Sequence, residues 1–413
     1  MGRYTILDDP AADAAVQEVL DRVCGDVIRL LGNELQAIVL IGGYGRGEGG
    51  AYRIGADYCL VNDLDLLAFT KSIFRAERED KERLEHLVGE WLANGRGLKG
   101  IDVELTQLWR YLFFAPNTVG TYEIANGHQV IYGDLNFKKA LPRLDPKRLP
   151  TYEGANYFRN RGSALLIPAL YFLTNGLQDA GKRENFQIEV QKACQAMGDA
   201  CLLMLGQYHF SYRERLQRFR QIKPEALGIP PSLFEKVTPL YEWGMIRKLS
   251  PSFEWPGDKQ MVTKWFEVRE VFGDFFLWYE SERLGHRFKG WDEYANFVWQ
   301  HGAGEPTSLR QRAALWSAFS FFRRKGRGSA PLSPIGRSRL CLAVMPLLLF
   351  SLKPDFTVES PPLAHAAKLM GQTVPGADLS VWKKVAETFL RTFYPTAVVT
   401  DALAPLHESA VSH

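Results

Sequence analysis

The sequence predicts an α+β fold, with an N-terminal mixed-sheet domain followed by a mostly helical C-terminal region. Three observations predict it. Short apolar or alternating runs, the mark of strands, crowd into roughly the first 140 residues. A glycine cluster follows the first of them directly. Beyond Pro150 the strand signals fade and long amphipathic stretches take over. At 413 residues the chain exceeds one ordinary core, so it is expected to divide into segments 1–145, 146–320 and 321–413.

Asp9 and Pro10 open the first helix, because Asp9 can cap free amides and proline suits a first turn. Val16, Val19, Leu20, Val23 and Val27 follow at helical spacing, and Gly32 closes the segment. Ala37 to Ile41 is a run rich in branched residues and reads as a buried strand. After the stretch from Gly42 to Gly55, Asp63 to Phe69 begins with alternation and reads as a second strand. A charged helix is expected over about Ile73 to Leu92, ended by Asn94 and Gly95. Ile101 to Leu105 alternates strictly, and Gln129 to Asp134 reads as a further short strand with a turn. Tyr157–Leu173, Glu189–Leu205 and Phe266–Leu284 are the clearest helical stretches later on. Arg323 to Pro331 is basic and rich in Gly, Ser and Pro, hence an exposed loop or linker. The polar tail after Ala404 is expected to fray.

Bulk properties exclude several classes. Hydrophobic residues at 46% and charged residues at 23% give a globular balance, so large-scale disorder is not expected. Fifty basic against 47 acidic residues leave a net charge of +3, which gives no reason to expect a nucleic-acid coat protein. The five cysteines form no CxxC pair and the eight histidines no HxxxH spacing, which excludes a disulfide framework and a zinc motif. Residues 1–10 lack a signal-peptide core, and Ile6 stands where myristoylation requires Ser or Thr. The apolar run Leu340 to Leu352 contains Pro346, is too short to span a bilayer, and reads as a buried helix. Together these predict a soluble cytoplasmic protein with no membrane partner.

The chemistry concentrates around the first two strands. Asp63 and Asp65 are one residue apart on a predicted strand, so their carboxylates share a face while Leu64 and Leu66 point to the core. Like charges so placed repel unless a cation sits between them. A third carboxylate from another strand would complete a site for magnesium, a hard ion that prefers oxygen and shares its shell with phosphates. Asp102 is favoured, with Glu104 on the same face as the alternative. Gly42 and Gly43 would let backbone approach a phosphate closely, while Arg46 would reach a γ-phosphate or pair with Glu48. A dinucleotide-binding GxGxxG reading fails, because the third glycine is misplaced and no long helix follows.

The segments Gly42-Gly43-Tyr44-Gly45-Arg46-Gly47-Glu48 and Asn62-Asp63-Leu64-Asp65-Leu66-Leu67 resemble the polymerase-beta-type nucleotidyltransferase superfamily. The wording is most similar to its protein-PII uridylyltransferase and glutamine synthetase adenylyltransferase branches. The resemblance covers roughly residues 35 to 110 and departs from the pattern in one respect. Nineteen residues separate Gly43 from Asp63, so an insertion near Ala51 to Leu60 must loop out. The phosphohydrolase His-Asp pair of the PII uridylyltransferases is missing. By resemblance Gly42 and Gly43 would hold a triphosphate, and Asp63, Asp65 and Asp102 would bind two magnesium ions, with manganese as a substitute.

A second resemblance lies in the helical part. Asn160-Arg161-Gly162, Gln191-Lys192-Ala193, Gly198-Asp199-Ala200 and Tyr208 to Arg215 are similar to a set of bacterial nucleotidyltransferase-domain proteins. That resemblance implies a helical domain that closes over the nucleotide and supplies a lysine. Lys192 is the candidate, with Arg161, Tyr208 and Arg213 behind it. By base rate a helical lysine is a solvated one, and Ser211 with Glu214 is equally a capping box at a helix start.

The expected function is transfer of a nucleoside monophosphate, most simply AMP from ATP, to a hydroxyl or amine acceptor with release of pyrophosphate. A toxin- or antitoxin-type enzyme modifying tRNA or a protein is the second reading. A non-catalytic nucleotide sensor or scaffold is the third. The acceptor, the donor base and the oligomeric state stay open.

Overall fold

The computed structural model describes residues 2–71, 79–107, 117–134, 144–252, 254–305 and 334–393. The start of the helix expected from Ile73, the basic segment Arg323–Pro331 and the tail after Ala404 lie outside these residues. In chain order the principal elements begin with α1 (Pro10–Leu31), β1 (Leu35–Leu40), β2 (Gly50–Ile54), β3 (Asp57–Val61) and β4 (Asp63–Thr70). Then come α2 (Glu79–Ala93), β5 (Gly100–Thr106), α3 (Val119–Asn126) and β6 (Gln129–Tyr132). The helical part comprises α4 (Tyr152–Leu173), α5 (Ala180–Met204), α6 (Tyr212–Phe219), α7 (Pro231–Leu249) and α8 (Asp258–Leu284). It ends with α9 (Trp291–His301), α10 (Pro334–Ser351), α11 (Ser360–Leu369) and α12 (Leu379–Phe393). The fold is α+β.

The chain forms two compact units. The first comprises Met1–Pro150, Leu205–Ile222 and Met245–Ser252, so α6 and the last turn of α7 belong with the sheet despite their place in the sequence. The second comprises Thr151–Met204, Lys223–Gly244 and Phe253–His413.

In the first unit a four-stranded mixed sheet has the order β5-β4-β1-β6. β1 runs antiparallel to both β4 and β6, while β4 and β5 are parallel. A parallel pair requires a crossover, which α2 provides. α1 begins as the sequence predicts, with the Asp9 carboxylate accepting from the Ala11 amide at 2.9 Å, and it ends at Gly32. Its Val16, Val19, Leu20, Val23 and Val27 are buried in one cluster with Ile38, Leu40, Leu64, Leu66 and Ile101. Trp91 of α2 joins that cluster and donates its indole N–H to Asp26 at 2.8 Å. The opposite sheet face carries a smaller cluster of Ala37, Val39, Leu67 and Phe69, against which Ile124 and Ala125 of α3 pack.

The insertion between the glycines and the aspartates does leave the main sheet, but as an ordered ribbon. β2 and β3 pair from Gly50↔Val61 to Ile54↔Asp57. Gly55, at a φ of +61°, takes the turn conformation that side chains disfavour. The ribbon's base is held by Tyr44, whose buried hydroxyl lies 2.8 Å from the Gly50 carbonyl and accepts from the Val61 amide at 3.0 Å.

The second unit is helical. Phe158 of α4 stacks on Phe276 of α8, and Phe272, Phe275 and Tyr279 surround it. Close helix approach uses glycine: a Cβ at Gly198 would fall within 2.3 Å of the Tyr241 ring, and one at Gly162 within 2.4 Å of the Met345 sulfur. The apolar run around Pro346 forms α10 and is buried. No helix among the described residues is long and apolar enough to cross a membrane.

Removing the Tyr44 hydroxyl tests the ribbon's anchorage. Tyr44→Phe leaves the half-buried Val61 amide without its acceptor, so chemical denaturation should show a loss of about 1–3 kcal/mol.

Candidate active site

β4 and β5 bring the predicted carboxylates together. The parallel register sets Asp65 opposite Asp102 and Asp63 opposite Gly100, on the face away from buried Leu64 and Leu66. Glu104 lies opposite Leu67, farther along the strands, so the register favours Asp102 over Glu104 as the third carboxylate. Two glycines make room for the acids. A Cβ on Gly42 would stand 2.5 Å from Asp65 Oδ2, and one on Gly100 would stand 2.9 Å from Asp63 Oδ1. Gly42 also has a φ of +68°, which L side chains rarely adopt. Residue 62, directly before the acids, is Asn62 at a φ of +72°.

Gly42–Gly45 forms one helical turn straight after β1. The turn is closed by bonds from Arg46 N to the Gly42 carbonyl at 3.3 Å and from Glu48 N to the Gly43 carbonyl at 2.9 Å.

Burial, reinforced by Asp63 and Asp102, pushes the Asp65 carboxyl up to about 7, while Arg46 and Lys248 pull the other way. Asp65 thus feels both carboxylate neighbours on top of its burial. Among the described residues no three His, Cys, Asp or Glu side chains gather tightly enough to cage an ion by themselves. The three carboxylates are all oxygen donors, the ligand class that a hard divalent cation prefers.

The expected Arg46–Glu48 pair is not formed. Arg46 turns inward and pairs with Glu123 of α3 at 2.9 Å, with its side chain only 4% exposed. It also donates to the Tyr212 hydroxyl at 3.1 Å. Glu123 accepts from Tyr208 at 2.6 Å and lies 3.5 Å from Arg215. Burial alone would raise the Glu123 carboxyl, yet Arg46, Arg215 and the Tyr208 bond hold it below the usual carboxylate range. Tyr212 sits among three cations: Arg215 at 4.1 Å from its ring centroid, Arg46 at 4.8 Å and Lys248 at 5.2 Å. Burial pushes its phenol up, but Arg46, Lys248 and Arg215 bring it below its ordinary value.

Glu48 instead caps α6. It accepts from Ser211 Oγ at 2.7 Å and from the Tyr212 amide at 2.8 Å. Ser211 is the helix N-cap as the sequence predicts, accepting from Glu214 N. Glu214 does not complete the capping box, because the Ser211 amide donates to His209 Nδ1 at 3.1 Å. Glu214 lies beside Arg218 instead.

Of the remaining candidates, Tyr208 is buried in the Glu123 network and Arg213 donates to the Ile6 carbonyl at 2.9 Å. Arg161 is on α4 and Lys192 on α5, both in the second unit, and Lys192 pairs there with Glu189 at 3.3 Å. Sequence reasoning missed Lys248, which lies 3.8 Å from where a Gly43 Cβ would be. It also missed Glu123 and Arg215 as partners of Arg46, and no local pattern marks any of these three.

Two outcomes follow from the carboxylate geometry. A carboxyl raised above its ordinary 3.8 disfavours the folded state wherever it must ionise. In chelator, stability should therefore fall as pH rises from about 4 to about 7, and Asp65→Asn should abolish most of that fall. At pH 8 the variant should be more stable by on the order of 2–4 kcal/mol in denaturant titrations. Gly42→Ala, which meets both the positive φ and Asp65, should cost at least about 2 kcal/mol in the same titration.

No family model matches this chain, and no curated protein does. Seven solved chains match it, among them spectinomycin adenyltransferase AAD(9) from Enterococcus faecialis, crystallised with ATP and spectinomycin. That protein is 12% identical, with a TM-score of 0.34, and the match covers 62% of this chain and 98% of the other. A likeness of that order carries no argument about chemistry, which rests here on the residues of the site.

Proposed function

We propose that the first unit is a nucleotidyltransferase that moves a nucleoside monophosphate, most simply AMP from ATP, to a hydroxyl or amine acceptor. The observation that carries this reading is the placement of Asp63, Asp65 and Asp102 on one face of two parallel strands, beside the Gly42–Gly43 turn. Asp63 and Asp65 would hold magnesium, with Asp102 as the lateral third ligand. When bound, the ion supplies charge neutralisation to the triphosphate and acidifies the acceptor.

The protein groups divide the remaining work. The glycine turn admits the triphosphate without side-chain obstruction. Lys248 is half-buried beside Gly43, with its ammonium 5.2 Å from the Tyr212 ring centroid; it would offset phosphate charge. The acceptor oxygen or nitrogen forms a bond to the α-phosphorus as the bond to the bridging oxygen breaks, and pyrophosphate leaves. Exposed Asp102 would take the acceptor's proton.

Incubation with each labelled NTP, magnesium and cell extract should transfer label to one class of acceptor. A labelled RNA or protein band would select a macromolecular acceptor over a small molecule. Asp63→Ala/Asp65→Ala should lower the rate by on the order of a thousandfold or more. Full labelling by that variant would overturn the mechanism. Lys248→Ala should raise the KM for NTP about tenfold, with a smaller change in kcat.

A further inference from the structure

We propose that Glu48, anchored by Ser211 and Tyr212 of α6, is a positioning residue that holds the Gly42–Gly45 turn in shape for a polyphosphate. The inference rests on the nucleotidyl-transfer reading only for the identity of that ligand.

Glu48 is 1% exposed, and a buried carboxylate is costly unless fully hydrogen-bonded. Its oxygens are occupied by Ser211 Oγ at 2.7 Å, the Tyr212 amide at 2.8 Å and the Arg213 amide at 3.4 Å. So engaged, Glu48 is placed to hold rather than to bind metal or move protons.

What it holds follows from peptide planarity. The Glu48 amide fixes the Gly43 carbonyl, and the Arg46 amide fixes the Gly42 carbonyl. In a trans peptide the next residue's N–H points opposite to the carbonyl, so these bonds set the directions of the Gly43 and Tyr44 amides. Of the two residues making those bonds, Glu48 ends at Ser211 and Tyr212, while Arg46 reaches the Tyr212 hydroxyl as well as Glu123 of α3. Two successive glycines have the most backbone freedom to lose on ordering. An anchor outside the turn removes that freedom before the ligand arrives, and the gain appears as affinity.

The test uses the 413-residue chain, with magnesium tripolyphosphate and manganese chloride as separate calorimetric titrants. Glu48→Ala should weaken tripolyphosphate binding about tenfold, and Glu48→Gln, which keeps an acceptor for the Tyr212 amide, should restore it to within about threefold of wild type. Manganese binding should be unchanged in both. Unaltered tripolyphosphate affinity in a folded Glu48→Ala protein overturns the proposal. So does a parallel loss of manganese binding, which would report general damage.

Should Glu48→Ala fail to fold, Ser211→Ala, which deletes the Ser211 Oγ bond to Glu48 together with the cap bond from the Glu214 amide, is judged by the same criteria. A wild-type protein that does not bind tripolyphosphate sinks the proposal outright. One that binds it with these effects, yet labels nothing with any NTP, leaves the positioning role standing while the transfer reading fails.

Discussion

Like charge held at short range is the constraint around which the first unit is built. Leu64 and Leu66 must be buried, and the strand period then forces Asp63 and Asp65 onto the other face together. The parallel neighbour places Asp102 across from Asp65 and adds to the repulsion. The sheet cannot relieve this by rotating a strand without exposing its core. Relief has to come from the surroundings: space at Gly42 and Gly100, and positive charge from Arg46 and Lys248. The strand interior stabilises an arrangement that its own carboxylates oppose, a common sign of a site shaped for a ligand.

The cations that answer those acids are themselves supported from far along the chain. Arg46 is held by Glu123 and Tyr212, and Arg215 shares Glu123 while lying over the Tyr212 ring. Each buried charge has an opposite or aromatic neighbour, as a low-dielectric interior requires. α6 acts here as a strut. Its N-terminal amides, unpaired within the helix, are satisfied by Glu48, and its Tyr212 serves Arg46. The positive end of its dipole meets a carboxylate, which favours the docked state.

Much of the sheet was legible because its signals are local. Asp9-Pro10 and Gly32 bracket α1, alternation marks β4 and β5, and the one-residue spacing of Asp63 and Asp65 puts both on one face. The fold class follows from the confinement of such signals to the first part of the chain. What was illegible depends on long sequence separation. Glu48 and Ser211 are 163 residues apart, and Arg46 and Tyr212 are 166 apart, so neither bond leaves a periodic trace. Proximity in sequence misled in one case: Glu48 is the nearest acid to Arg46, yet burial turns that arginine toward Glu123. The ribbon of β2 and β3 was read only as an insertion near Ala51 to Leu60 that loops out, because no local signal says that its two flanks pair.

That ribbon separates two kinds of sequence freedom. Its base is fixed by the Gly50↔Val61 pair and the Tyr44 hydroxyl, while Ile54 at the tip is 57% exposed. Because closure is complete at the base, changes in tip length cost little and reach the acidic strand weakly. The tip is thus a natural port for grafting, where a peptide tag or a reporter could be carried close to the chemistry without disturbing its register.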